Sequence, residues 1–285
     1  MLFLGTGAAE LVPNPFCKCE LCQRVRAGKE TPRKRSALLL DKEICIDFGP
    51  DVLAASQQYD APLYDLTDIF ITHTHNDHLS IDNLDVLTMT ECRDFPIRLW
   101  LSPEGVDWIY QYCTQNRCLH RGTCGLDELL QKGKLSIQPL LPYRWHTIGK
   151  ARVFAVVSNH PGCHKDEFSL NYVIEKDGHR ILYAADTGLY SQENLSALKD
   201  FQCDTVIMEG TYGSWQMDKG ISHLTAETYI ENAENLVACG AVKADGKFYV
   251  THINQCHSFH HQAYQDYLAA NCKLDITVAW DGMEI

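Results

Sequence analysis

The stretch DIFITHTHNDHLS, from Asp68 to Ser80, sets His73, His75, Asp77 and His78 in an H-x-H-x-D-H array directly after an apolar run, in a chain with only 13 histidines among 285 residues. Imidazole nitrogens and carboxylate oxygens so closely spaced are donors for zinc, iron or manganese, and such ions activate water for hydrolysis. Three more apolar, strand-length runs end on the same chemistry: VFAVVSN leads to His160, ILYAA into Asp186 and FYVT into His252. Residues at the ends of strands from packed sheets can converge on one rim, where binding and catalysis usually sit. The set of His73, His75, Asp77, His78, His160, Asp186 and His252 exceeds what one tetrahedral ion uses. Two divalent ions sharing a hydroxide nucleophile are therefore expected, with Asp186 as the natural bridge.

The elements that must position these groups are legible as short β-branched and aromatic runs with turn signals between them, among them MLFLGTG, SALLLDKEICIDFG, PIRLWLS and DITVAWDGMEI. The Asp-Gly pair in EKDGHR favours a tight hairpin. Helix-length patterns such as SPEGVDWIYQYCTQ, SQENLSALKDF, TAETYIENAENLVACGA and HHQAYQDYLAANC fall between strands, which suggests a layered α/β protein. Residues 1–285 read as one domain, with an insertion or lid at about 92–133, where CTQNRCLHRGTCGLDELLQ mixes polar residues, glycines and cysteines.

Composition excludes several classes. A net charge of −12 argues against a broad electrostatic grip on long nucleic acid. No apolar run approaches the roughly 20 residues needed to span a bilayer. The start, MLFLGTGAAELVP, lacks a basic segment before its short apolar run and reads as strand and loop, so no membrane association and a cytoplasmic location are expected.

Thirteen cysteines are mostly scattered, and an odd count is unlike a secreted disulfide framework. The exception is FCKCELC. There Cys17, Cys19 and Cys22 form C-x-C-x-x-C, three thiolates able to wrap one structural zinc that needs a fourth ligand. A redox pair is the competing reading of C-x-x-C, without a thioredoxin-like context to favour it.

The H-x-H-x-D-H array resembles that of the metallo-β-lactamase superfamily. The resemblance implies an αββα four-layer sandwich with a dinuclear site at one edge of the paired sheets. It also implies a division of ligands: His73, His75 and His160 for one ion, Asp77, His78 and His252 for the other, and Asp186 between them. Asp47 in ICIDFG matches the superfamily's aspartate that orients a metal ligand; the plain alternative is a strand-end turn residue.

GTGAAELVPNPFCKCELC, THINQCHSF and WDGMEI narrow the likeness to the family of the carbon–phosphorus lyase pathway phosphodiesterase and its C-x-C-x-x-C relatives. In that family the fourth zinc ligand is a histidine three residues after the last metal histidine. Here that position is Gln255, and a two-residue insertion would put His257 in its place, with Cys256 as the competitor. His223, ahead of a helix starting near Thr225, suits protonation of a leaving alkoxide, and phosphodiesterase branches have a similarly placed histidine. Arg33 and Arg35, in the chain's densest basic spot, are candidate phosphate contacts.

The resulting expectation is a metal-dependent phosphodiesterase for a small or cyclic nucleotide-like ester, holding two divalent ions (Zn, Mn or Fe) and one structural Zn. Its catalytic residues would be His223, Asp77 and Asp47, its partner a small-molecule phosphodiester, with a homodimer left open. The alternatives are an RNA-processing endonuclease of the same superfamily and a non-catalytic accessory protein of a biosynthetic pathway.

Overall fold

In a computed structural model, the described residues are 1–90, 95–115, 125–215, 220–256 and 258–285. The first sheet is built from β1 (Leu2–Gly5), β2 (Ala37–Leu39), β3 (Ile44–Ile46), β4 (Asp68–Phe70), β5 (Ile97–Leu101) and β6 (Leu135–Pro139), ordered as in the chain. The second follows with β7 (Trp145–Ile148), β8 (Ala151–Pro161), β9 (Phe168–Lys176), β10 (His179–Ala184), β11 (Cys203–Glu209), β12 (Val242–Thr251) and β13 (Asp275–Val278), again in chain order across the sheet.

Three apolar layers make the sandwich. Phe3, Leu38, Ile46 and Phe70 of the first sheet meet Val153, Tyr172, Tyr183 and Ile207 of the second between the sheets. After α1 (Glu20–Arg26), which opens within the C-x-C-x-x-C stretch, the outer face of the first sheet carries α2 (Val52–Gln58), α3 (Ile81–Asp85), α4 (Pro103–Gln115) and α5 (Gly125–Gln131), through residues such as Val52, Leu84, Ile109 and Leu129. The outer face of the second carries α6 (Gln192–Leu198), α7 (Ala226–Ala238) and α8 (His261–Asn271), through Leu195, Tyr229 and Tyr264. Helices on the outer faces of two stacked sheets give the αββα sandwich. Among the described residues no helix is long and apolar enough to cross a membrane.

Direction decides where the site forms. β3 and β4 are parallel, as are β10, β11 and β12, and β8 runs with β10 because both are antiparallel to β9. The C-terminal ends of β3 and β4 thus share one edge of their sheet, as do those of β8, β10, β11 and β12. The hairpin between β9 and β10 turns on Asp177 and Gly178, at φ 51° and 82°, the paired left-handed conformation for which Asp-Gly is suited.

The described residues of the region expected as an insertion or lid contribute to the first sheet and its outer helices. Residues 97–115 and 125–133 supply β5, α4 and α5, and Leu99, Leu101, Ile109, Cys113, Leu126 and Leu129 are buried. The polar, cysteine-rich run 116–124 and residues 92–94 lie outside the described residues. The terminal WDGMEI is a clasp, in which Asp281 accepts hydrogen bonds from Thr6 N at 2.9 Å, Thr6 Oγ1 at 2.7 Å and Lys34 N at 2.6 Å.

Candidate metal centre

Each nominated ligand sits where a strand stops. His73 lies three residues past β4, Asp186 two past β10, His252 one past β12, and His160 in the last turn of pleat of β8. Asp47, Asp186 and His252 have φ of 61°, 50° and 55°. For residues other than glycine that left-handed conformation costs about 1–3 kcal/mol each, and it persists only where surrounding structure enforces it. The sharp turn aims the side chain across the rim. Gly49 is required by the same crowding, since a Cβ there would come within 1.9 Å of Asp77 O.

The side chains converge in two groups. Donor atoms of His73, His75, His160 and Asp186 lie within 4.8 Å of one another, and so do those of Asp77, His78, Asp186 and His252. Asp186 belongs to both: its Oδ2 is 3.3 Å from His73 Nε2 and 3.7 Å from His160 Nε2 on one side, and 3.0 Å from His78 Nε2 on the other. All are buried except His75, which is half-buried.

Electrostatics separates the groups. Burial, with neighbouring imidazoles adding to it, holds His73 well below the ordinary histidine range, and burial also lowers His75 and His160. These rings are neutral and present lone pairs. Burial pulls His78 down as well, but Asp77, Asp47 and Asp186 outweigh it and raise its pKa well above normal; Asp186 and Asp77 likewise raise His252. Burial opposes ionisation of Asp77 and Asp186, yet the facing histidines hold both well below the carboxylate range.

The donor set fits metal. Among the described residues, buried His78 Nε2 and Asp186 Oδ1 make no hydrogen bond of good geometry, although His78 Nε2 lies 3.0 Å from Asp186 Oδ2 and His252 Nδ1 3.0 Å from Asp186 Oδ1, a costly state for polar atoms unless a cation satisfies them. His73 Nε2 and His75 Nδ1 are 2.9 Å apart, and His160 Nε2 is 3.3 Å from that same His75 nitrogen. These close approaches between ring nitrogens fit donors that share a cation, and two such groups with Asp186 in common fit a dinuclear metal site.

Supporting residues lock the donors. Asp47 Oδ2 lies 2.7 Å from His78 Nδ1, which orients that ring, while Oδ1 accepts from Thr72 N at 2.8 Å. Asp47→Ala is expected to lower metal affinity or activity about 10–100-fold, measured by metal titration alongside turnover; wild-type values would reduce Asp47 to a turn residue. Glu167, unmarked in the sequence reading, is buried and accepts from Thr74 N at 3.0 Å and from Thr74 Oγ1, fixing the residue between His73 and His75.

His223 stands at the rim. Its Nδ1 donates to Glu209 Oε1 at 2.7 Å, and its ring centroid lies 4.6 Å from that of His160. Glu209, the last residue of β11, is fully buried and also accepts from Thr187 N at 2.8 Å, Thr211 N at 3.1 Å and Leu224 N at 3.2 Å. This carboxylate was missed in the sequence. The signal was available: DTVIMEG ends an apolar strand on a donor, as the runs before Asp47 and Asp186 do.

The basic spot goes elsewhere. Arg33 is buried, and its guanidinium is engaged by Thr6 Oγ1 at 2.7 Å, Ala279 O at 2.6 Å and His261 Nδ1 at 3.0 Å. Arg35 pairs with Asp51 at 3.2 Å and donates to Ala9 O at 2.9 Å. Both bind the chain itself, because this segment threads between the N-terminal loop and the terminal clasp.

A second donor cluster forms around the cysteines. The sulfurs of Cys17, Cys19 and Cys22 lie within 4.8 Å of one another, and Cys256 Sγ is 3.5 Å from Cys17 Sγ. Cys19 N donates to Cys17 Sγ and Asn14 N to Cys22 Sγ, each at 3.3 Å. The Cys19 amide is the main cause that lowers Cys17 to about 7, whereas burial pushes Cys22 and Cys256 up to about 12. A cation among them would reverse that order by deprotonating every ligand thiol. His257, nominated as fourth ligand, lies outside the described residues.

A family model described as a beta-lactamase superfamily domain matches residues 42–253. No curated protein matches the chain in sequence. Among solved structures, a diphosphatase from the PhnP family is 17% identical with a TM-score of 0.71, covering 100% of this chain and 95% of that one. Zn(2+)-bound PqqB from Methylobacterium extorquens is 18% identical at 0.70, covering 99% and 98%. The short form of human tRNase Z is 19% identical at 0.62, covering 99% and 96%.

Proposed function

The chain belongs to the metallo-β-lactamase superfamily, and from that premise we propose that it is a metal-dependent phosphodiesterase acting on a small or cyclic nucleotide-like ester. The observation that carries the reading is the pairing of two donor groups that share Asp186 with a carboxylate-backed histidine, His223, at their rim. The similar solved structures include a diphosphatase and a tRNase Z, which is consistent with phosphorus–oxygen chemistry on this fold.

In this reading His73, His75 and His160 would hold one ion and Asp77, His78 and His252 the other, with Asp186 available to both groups. When bound, such a pair of divalent ions supplies Lewis acidity toward phosphoryl oxygens and a water of lowered pKa. Asp47 and Glu167 keep the ligand rings in place. Glu209 accepts the Nδ1–H of His223, and its carboxylate supports the imidazolium form, which carries a second proton on Nε2. His223 would give that proton to the departing alkoxide and be left neutral with its Nδ1–H still on Glu209. The net charge of −12 favours small esters over long nucleic acid.

The test is elemental analysis per chain together with hydrolysis of bis-p-nitrophenyl phosphate, with and without added Mn²⁺ or Zn²⁺. About three ions with metal-dependent turnover is the expected result. One tightly held zinc and no turnover with any metal would remove the phosphodiesterase and leave an accessory protein.

The third ion is a structural zinc on Cys17, Cys19, Cys22 and a fourth ligand, for which the 3.5 Å approach of Cys256 to Cys17 favours Cys256. Cys256→Ser is expected to lower zinc by about one per chain, while His257→Ala leaves it unchanged. The opposite pattern returns the fourth position to His257, and full zinc in Cys19→Ser would sink the site itself.

A further inference from the structure

Beside the metal centre lies an open cleft of about 370 Å³ that no step above uses. Its floor includes Asn159 and Thr187, the sequence neighbours of His160 and Asp186. Ser158, in the same wall, donates from Oγ to Asp186 O at 3.0 Å and accepts from His160 N at 3.1 Å. Thr187 N donates to Glu209 Oε1, the oxygen that also takes His223 Nδ1. Asn159 Oδ1 accepts from Gly188 N at 2.6 Å, and a Cβ on Gly188 would come within 2.2 Å of Gly220 O. The turn after Asp186 is therefore pressed against the segment that leads to His223, and the cleft is lined by Ser158, Asn159 and Thr187, the chain neighbours of His160 and Asp186.

The rest of the lining sets what the cleft accepts. Phe168, 44% exposed, and Leu189 offer apolar faces, while Tyr143, hydrogen-bonded through its hydroxyl to Asn194, and Asn159 offer neutral polar groups. Among the described residues lining it, Glu193 is the one charged side chain. A pocket of apolar surface with a few neutral polar groups suits an uncharged organic group, and a rim carboxylate repels an anion.

Resting on the phosphodiesterase reading above, we propose that this cleft is the specificity subsite for one alcohol of the diester, an uncharged group with an aromatic face and hydroxyls such as a nucleoside, seated against Phe168. A second phosphate on that alcohol is disfavoured by Glu193.

Calorimetric titration of the metal-loaded full chain reads this without turnover. Uridine 5′-monophosphate is expected to bind about tenfold more tightly than methyl phosphate, from stacking of the base, and Phe168→Ala to bring that ratio close to one. The ratio cancels any general change in metal loading. Equal affinities in the wild-type protein, or a ratio unchanged in Phe168→Ala, would overturn the subsite. Glu193→Gln is expected to improve binding of uridine 3′,5′-bisphosphate relative to the monophosphate, and no change would remove the exclusion of a second anion. Failure of the phosphodiesterase reading shows separately, as absence of bis-p-nitrophenyl phosphate hydrolysis while the binding ratio persists.

Discussion

Asp186→Ala is expected to lower turnover on the order of 10³-fold or more and to cost at least one of the two ions. The reason is geometric: one carboxylate oxygen lies within 3.7 Å of ring nitrogens from both donor groups, and among the described residues Asp186 is the side chain common to the two groups. Metal charge stabilisation is worth several kcal/mol, and each 1.36 kcal/mol is about tenfold in rate. The substitution also removes one of the buried carboxylates beside His78 and His252, leaving Asp47 and Asp77 next to His78 and Asp77 next to His252, so Asp186→Ala is expected to lose stability as well as activity. Asp186→Asn keeps the shape and one oxygen donor and separates the two effects. It is expected to fold, to hold fewer ions by elemental analysis, and to turn over far more slowly. Full metal content with turnover within about tenfold of wild type would remove Asp186 as the bridge.

The second large effect belongs to His223. His223→Ala should reduce turnover about 10²–10⁴-fold, the range for a positioned general acid, without loss of metal, because the ring is at the rim of the donor groups. The diagnostic is the leaving group. An alkyl alcohol needs a proton as it departs and p-nitrophenolate scarcely does, so the loss should be large for a dialkyl or nucleoside ester and small for a p-nitrophenyl ester. An equal loss on both would make His223 a contact to phosphate rather than a proton donor. Glu209→Gln probes the same pair from behind. Its oxygen could still accept from His223 Nδ1, but its amide nitrogen would face the backbone donors of Thr211 and Leu224, so it should impair folding as well as rate.

Several features were open to local reading because the signal travels with a few consecutive residues. Strand length, the Asp177–Gly178 turn and the donor types of His73, His75, Asp77 and His78 depend on side-chain period and chemistry, which neighbours in sequence set directly. The rule that a ligand follows an apolar strand nominated His160, Asp186 and His252, and parallel strands in two packed sheets bring all of them to one edge. Applied to DTVIMEG, the same rule would have nominated Glu209.

Other outcomes depended on which surfaces meet. Arg33 has the composition of an anion contact, and only the closing of the N-terminal loop on Ala279 and His261 makes it an internal brace. The strand and helix patterns in 97–115 were legible locally, but that their buried leucines and isoleucines, with those of 125–131, complete the first sheet and its outer layer follows only from packing. The approach of Cys256 to Cys17 joins segments 239 residues apart, and no local spacing encodes it. What the sequence determined by itself was the kind of chemistry and the elements that carry it, since both follow from residue type and short-range period. Which donors lie together, which charges are buried and which residues line a cleft were decided by tertiary structure, because each depends on side chains that become neighbours only when the two sheets pack.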